Sequence, residues 1–166
     1  MIRKAVSFRR RLDFSPRGDG HNAQSLALPN RSRIVAVPGT EDTIRGFSAV
    51  DLLLLDEAAR IPNSLYYSVR PMLAASSGVI LAMSTPAGCR GFFHQACTAA
   101  DGLWEVFTVP ATACPRIPPA FLDEERRVLS EWWFRQEYMC DFVPLSAGLF
   151  DPRDLAGLLS HEVLPL

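Results

Sequence analysis

Two adjacent carboxylates, Asp56 and Glu57, carry the clearest potential for chemistry in this sequence. They follow a run of four leucines within residues 50–60, VDLLLLDEAAR. A continuous apolar run is typical of a strand buried on both faces of a parallel sheet, and such sheets bind ligands at the carboxyl ends of their strands. An aspartate at that place can hold Mg²⁺, because hard cations prefer oxygen ligands. A glutamate beside it can orient and polarise a water that attacks a phosphoryl group.

An apolar strand that ends in Asp-Glu is the Walker B pattern of P-loop ATPases. The same residues also fit an ordinary buried strand followed by a helix with acids in its first turn, where the helix dipole favours negative charge. Taken alone, the stretch leaves both interpretations open. The neighbouring segments must decide between them.

Length and composition predict one globular domain. The chain has 166 residues, of which 48% are hydrophobic, enough to build a core. Its apolar runs are too short to cross a bilayer, and its start lacks the pattern of a secretory signal. The four cysteines form no C-x-x-C pair, so we expect reduced thiols in a cytoplasmic protein.

Charge is distributed unevenly along the chain. Residues 1–33 have a net charge of +6, whereas the remainder has a net charge of −7. Residues 1–23 include Arg9, Arg10 and Arg11 and show little periodicity, which predicts a loose, disordered basic arm. Such an arm is a solvated tail or a nucleic-acid contact.

Strand and helix patterns alternate along the rest of the chain, which predicts an α/β fold with a mainly parallel sheet flanked by helices. The predicted strands are Leu26–Leu28, Ile34–Val37, Leu52–Leu55, Val79–Met83, Leu103–Val109 and Cys140–Val143. Pro62 opens the first predicted helix, which has Leu65, Val69 and Leu73 on one face. The further predicted helices are Cys89–Ala100, Ala120–Leu129 and Glu131–Tyr138, and Ser130 can cap the last of them.

Two further segments complete the candidate site. We predict that Leu52–Leu55 and Val79–Met83 lie side by side, so that Asp56 and Ser84 leave the sheet at the same edge. Ser84 begins a polar turn, Ser84-Thr85-Pro86-Ala87-Gly88. Upstream, an exposed loop over residues 41–48 contains Arg45-Gly46, where the glycine frees the backbone beside the arginine.

In this order the segments resemble one family, the large terminase subunit, the ATPase that drives DNA into tailed-phage capsids. The resemblance covers residues 24–159, and its motifs are RIVAVPGTEDTIRGFSAVDLLLLDEAARI, VILAMSTPAG, and FRQEYMCDF followed by GLF. Asp-Glu and Ser-Thr-Pro are each common. Their spacing of 28 residues, with Arg-Gly ahead and Gln-Glu-Tyr behind, is more specific.

The resemblance implies a role for each candidate residue. Asp56 would serve Mg²⁺, Glu57 would activate water, and Ser84 and Thr85 would sense the γ-phosphate of ATP and link hydrolysis to motion. Arg45 is similar in place to an arginine offered to a neighbouring subunit, so we expect it to be exposed and out of reach of Glu57 in its own chain. The alternatives are a strand-ending turn for Ser84 and Thr85, and an ordinary loop charge for Arg45.

The sequence departs from the family in two places. It has no Walker A loop, since Lys4 is the only lysine and no Gly-Lys pair exists. It also stops before a nuclease domain could begin. The expected domains are therefore a basic arm at 1–23, the second half of an ATPase domain of the ASCE type at 24–145, and a linker at 146–166.

By resemblance the cofactors are ATP and Mg²⁺, and the chain alone is expected to be inactive. The implied partners are double-stranded DNA, the portal protein, the small terminase subunit and other copies in a ring, with no membrane, in the cytoplasm of a bacterial host. One alternative is a fragment of a helicase-type (DEAD/DEAH-like) ATPase, against which the Arg-Gly loop and the Gln-Glu-Tyr segment argue. Another is a non-catalytic prophage remnant that keeps the half-fold.

Overall fold

The computed structural model describes residues 25–28, 30–37, 39, 44 and 46–144. The chain divides into two compact units between Phe47 and Ser48. In the first unit, β1 (Ser25–Ala27) pairs antiparallel with β2 (Arg33–Val35). The two strands predicted at Leu26–Leu28 and Ile34–Val37 therefore form, although each begins one residue earlier.

The second unit is built on a parallel strand pair. β3 (Leu52–Asp56) lies beside β4 (Val79–Met83), and the register pairs Leu52 with Val79 and Asp56 with Met83. This confirms that the two strands are neighbours and that they run in the same direction. The chain returns from the end of β3 to the start of β4 through helix α1 (Asn63–Val69), as a parallel connection requires.

One face of this strand pair is covered. Leu55 belongs to a buried cluster with Ala58, Tyr66 and Phe92, and the rings of Tyr66 and Phe92 stack with centroids 3.9 Å apart. Side chains that pack against the cluster come from both strands, from the helix over residues 91–98 and from loops: Leu53, Ile61, Ile80, Ala82, Phe93 and Trp104.

The opposite face of the pair is exposed, so the prediction of a strand buried on both faces is wrong for the described residues. Side chains alternate between the two faces of a strand, and the residues that face away from the cluster remain open to solvent. Their exposed fractions are 54% for Leu52, 40% for Leu54, 63% for Val79, 48% for Leu81 and 43% for Met83. We call these five residues the open apolar face.

Helix α1 forms as the sequence predicts. Pro62 precedes its first residue, and Leu65, Val69 and Leu73 are all buried. Pro71 lacks an N–H for a continued α-helix, and the chain proceeds as a 3₁₀ helix over Arg70–Leu73. The next helix, α2 (Gly91–Thr98), buries Phe92 and Ala96. Ala100 lies beyond its end and is exposed, contrary to the prediction.

Two helices follow near the end of the described chain, α3 (Pro119–Val128) and α4 (Glu131–Met139). Both begin and end within one residue of their predicted bounds. Ser130 stands at the N-cap of α4, but its side chain makes no capping hydrogen bond. Phe134 of α4 is 2% exposed, and the guanidinium carbon of Arg126 lies 4.5 Å from the centre of its ring.

Two predicted strands are absent from the described part of the chain. Residues 103–109 are irregular and unpaired, and the side chains of Leu103 and Phe107 are 80% and 78% exposed. Residues 140–143 also form no strand, since Cys140 takes a left-handed conformation that ends α4. An apolar run becomes a strand only where another strand satisfies its backbone N–H and C=O groups. No helix within the described residues is long and apolar enough to cross a membrane.

Candidate functional site

The candidate site lies where the two parallel strands end. Asp56 is the last residue of β3 and its carboxylate is exposed. Because Asp56 is paired with Met83, Ser84 follows directly at the neighbouring strand's end. The prediction that Asp56 and Ser84 leave the sheet at one edge is confirmed.

Glu57 turns the chain sharply at the end of β3. Its backbone has φ 54° and ψ 40°, a left-handed conformation that is costly for a residue with a Cβ. Backbone strain of this kind is found disproportionately at functional sites. The Glu57 side chain is 65% exposed, and its Oε2 accepts a hydrogen bond of 3.1 Å from Nη1 of Arg60.

Arg60 connects Glu57 to helix α4. Its second terminal nitrogen, Nη2, lies 3.4 Å from Oε1 of Glu137. The other oxygen of Glu137, Oε2, accepts a hydrogen bond of 3.2 Å from the hydroxyl of Thr85. The four side chains Glu57, Arg60, Glu137 and Thr85 therefore form a continuous polar chain from the end of β3 to the turn after β4. We call it the polar bridge.

A second contact holds the turn after β4 against the same helix. Gln136, which is 4% exposed, accepts a hydrogen bond of 3.2 Å from the backbone N–H of Gly88. Gly88 has φ 74°, a conformation that favours glycine. Consecutive residues of α4, Gln136 and Glu137, thus fix both ends of the segment Thr85–Gly88.

Ser84 differs from Thr85 in that its hydroxyl has no partner among the described residues. The Oγ atom of Ser84 is buried and makes no hydrogen bond to any described residue. A buried hydroxyl without a partner costs free energy, so it is a group that a ligand oxygen could satisfy. Asp56, Glu57, Ser84 and Thr85 together offer carboxylate and hydroxyl oxygens at one edge of the sheet.

Comparison with known proteins finds relatives in one family. No protein-family model matches the chain. The large terminase subunits of Thermus phage G20c and of Thermus virus P23-45 are each 30% identical to it over 140 residues, an alignment that covers 73% of this chain and 28% of the relative. The chain is therefore similar to part of a terminase large subunit. It spans less than a third of the length of these relatives.

Solved structures agree on the fold. The ATPase domain of the Thermus phage P74-26 large terminase matches with a TM-score of 0.58 at 20% identity, over 86% of this chain and 70% of that one. An arginine-to-alanine mutant of the same domain matches with a TM-score of 0.59, over 86% and 71% of the two chains. The predicted α/β fold, a mainly parallel sheet flanked by helices, is therefore confirmed, and the helicase-type alternative is not favoured.

The terminase resemblance left three residues of the site without a role. Arg60, Gln136 and Glu137 lie inside the motifs that carry the resemblance, yet only the structure connects them to Glu57, Thr85 and Gly88. The opposite charges of Glu57 and Arg60, three residues apart, were the one local signal of a contact. Arg45 lies outside the described residues, so its predicted exposure remains a prediction.

Proposed function

We propose that this chain supplies the hydrolytic half of a terminase ATPase, which couples ATP hydrolysis to the movement of DNA into a procapsid. The observation that carries this proposal is the placement of Asp56, Glu57, Ser84 and Thr85 at the carboxyl ends of two adjacent parallel strands. Open α/β sheets bind their ligands at such an edge. The sequence relatives, which are large terminase subunits, support the same conclusion.

In this proposal each residue has a distinct task. Asp56 offers an exposed carboxylate oxygen to Mg²⁺, and the unpartnered hydroxyl of Ser84 is a second oxygen that fits such an ion or a phosphate. The ion, when bound with ATP, neutralises charge on the phosphates. Glu57 orients and polarises the attacking water, and Thr85 senses the state of the γ-phosphate.

ATP binding further requires a phosphate cradle that this sequence lacks. Backbone N–H groups and a lysine must gather the negative charge of the triphosphate before a base can act. The chain has no Gly-Lys pair, and without a cradle the phosphates would meet Asp56 and Glu57 with little compensating charge. The P-loop must therefore come from residues outside this chain.

Two exposed regions of the second unit support the proposal that a P-loop half packs against it. The open apolar face consists of five side chains that a parallel sheet would normally bury, since such sheets are covered on both faces. Residues 103–109, LWEVFTV, have the composition of a strand but no strand partner within the described residues. Strands and helices from the P-loop half would cover the open apolar face and give residues 103–109 a strand partner.

The partners follow from the family as part of the same proposal. They are double-stranded DNA, the portal protein, the small terminase subunit and further copies in a ring, in the cytoplasm of a bacterial host. Arg45 would act on a neighbouring subunit, where its cation stabilises charge on the transferring phosphoryl group. Residues 1–23 would form a basic arm, residues 24–145 the ATPase half, and residues 146–166 a linker.

ATP turnover tests the proposal. We expect no hydrolysis by the purified chain alone, and hydrolysis after addition of a separately produced terminase segment that carries Gly-x-x-x-x-Gly-Lys-Ser/Thr. The matched control is the same segment with the P-loop lysine replaced by alanine, which should restore nothing. Failure of a segment that demonstrably binds the chain to restore any turnover would contradict the hydrolytic role and favour a non-catalytic remnant.

A further inference from the structure

We propose that Arg60 and Glu137 are positioning residues that couple the hydroxyl of Thr85 to the carboxylate of Glu57. This inference rests on the proposed function, in which Thr85 senses phosphate and Glu57 polarises water. It adds a physical link between the two, the polar bridge. Neither Arg60 nor Glu137 touches the reacting atoms.

Each contact in the bridge uses a different donor atom and a different acceptor atom. The two terminal nitrogens of Arg60 contact different carboxylates, Glu57 at 3.1 Å and Glu137 at 3.4 Å. The two oxygens of Glu137 are likewise divided, one to Arg60 and one to Thr85. A guanidinium presents its donors in a rigid planar fork, so a shift toward one carboxylate weakens its contact with the other.

Thr85 can make only one of two alternative hydrogen bonds. A hydroxyl has a single proton to donate, so Thr85 can donate to Glu137 or to a phosphate oxygen, but not to both. When Thr85 turns to phosphate, Glu137 loses one partner and Arg60 becomes its only described counter-charge. Arg60 is then drawn toward Glu137 and away from Glu57, which frees Oε2 of Glu57 to accept a hydrogen bond from water.

The surroundings favour movement of side chains over movement of the helix. Phe134 and Gln136 of α4 are almost fully buried, and Gln136 holds the backbone N–H of Gly88. The bridging side chains are far more exposed, at 65% for Glu57, 49% for Arg60 and 31% for Glu137. Solvent-exposed ion pairs contribute little stability, so exchange of partners within the bridge costs little.

A double-mutant cycle, read out by NMR chemical shifts of the ¹⁵N- and ¹³C-labelled chain without nucleotide, tests the coupling between Glu57 and Thr85. Glu57→Gln should move the resonances of the Thr85 amide and methyl group. The same substitution should move them several-fold less in an Arg60→Gln background and in a Glu137→Gln background. The matched control is an Arg116→Gln background, which replaces an exposed arginine outside the bridge and should leave the Thr85 response unchanged.

Equal Thr85 responses in all backgrounds would overturn the proposal, because Glu57 would then act through the neighbouring strand and not through the bridge. The Gly88 amide, which is bonded to Gln136, reports whether α4 stays docked in each variant. A several-fold reduction with the Gly88 amide unmoved supports the bridge, whereas a reduction seen only when that amide also moves overturns it. Because no nucleotide is present, the cycle is independent of the ATP turnover that tests the proposed function.

Discussion

The hydroxyl of Thr85 donates a hydrogen bond of 3.2 Å to Glu137, although the two residues are 52 positions apart in the sequence. The contact joins the turn after β4 to helix α4. The adjacent bond from the Gly88 N–H to Gln136 ties the same two elements together. The Gln-Glu-Tyr segment therefore belongs to the candidate site.

The two faces of β3 should respond differently to truncation. Leu55→Ala removes a buried side chain from the cluster around Tyr66 and Phe92 and should cost about 2–5 kcal/mol of unfolding free energy. Leu54→Ala, the matched control on the open apolar face, should cost clearly less because Leu54 is 40% exposed. Urea unfolding followed by circular dichroism measures both. Equal losses would show that the open apolar face is buried in solution.

The packing of helix α4 should depend mainly on the side chain of Phe134. Phe134→Ala removes a ring that is 2% exposed and packed beneath Arg126, and we expect a loss of about 3–5 kcal/mol. Phe121→Ala in α3 is the matched control, since Phe121 is 42% exposed and should cost less. The urea concentrations at the unfolding midpoints of the two variants measure this difference in stability. A larger loss at Phe121 than at Phe134 would contradict the described packing of α4.

Tyr138 should lose its proton at a higher pH than a tyrosine in an unfolded chain. Its hydroxyl donates a hydrogen bond of 2.8 Å to Glu125, and this bond, with smaller contributions from burial and nearby negative charge, raises the pKa of Tyr138 above its usual value. A pKa raised by folding adds stability that is present below the unfolded-state pKa of about 10 and is lost as pH rises through the folded-state pKa.

Absorbance of phenolate measured against pH checks this. Glu125→Gln should lower the ionisation midpoint of one of the three tyrosines, whereas the neighbouring Glu124→Gln should leave all three unchanged. Unchanged midpoints in Glu125→Gln would mean that the bond between α3 and α4 does not form in solution.

The elements that were predicted correctly are those whose formation depends on local sequence patterns. The leucines of β3, the apolar run of β4 and the spacing of Leu65, Val69 and Leu73 each reflect the period of their own element, and all three elements form as predicted. The placement of Asp56 beside Ser84 followed because parallel strands end at a common edge. These inferences needed no knowledge of distant residues.

The remaining features depend on contacts between distant segments. Residues 103–109 have the pattern of a strand, but strand formation needs a partner, and none is present within the described residues. The Arg60–Glu137 contact spans 77 positions, so no periodicity could have placed it. The exposure of Leu54 likewise depends on which segments cover the sheet.

Turnover and nucleotide binding by Glu57→Gln, in the chain supplemented with a P-loop segment, measure whether Glu57 polarises the attacking water. Loss of a positioned general base costs on the order of a hundredfold or more in rate, so turnover should fall by about that factor while ATP affinity is kept. Glu124→Gln, an exposed glutamate on α3, should leave both unchanged. Undiminished turnover in Glu57→Gln would contradict this role of Glu57, and robust turnover by the unsupplemented chain would contradict the need for a P-loop segment.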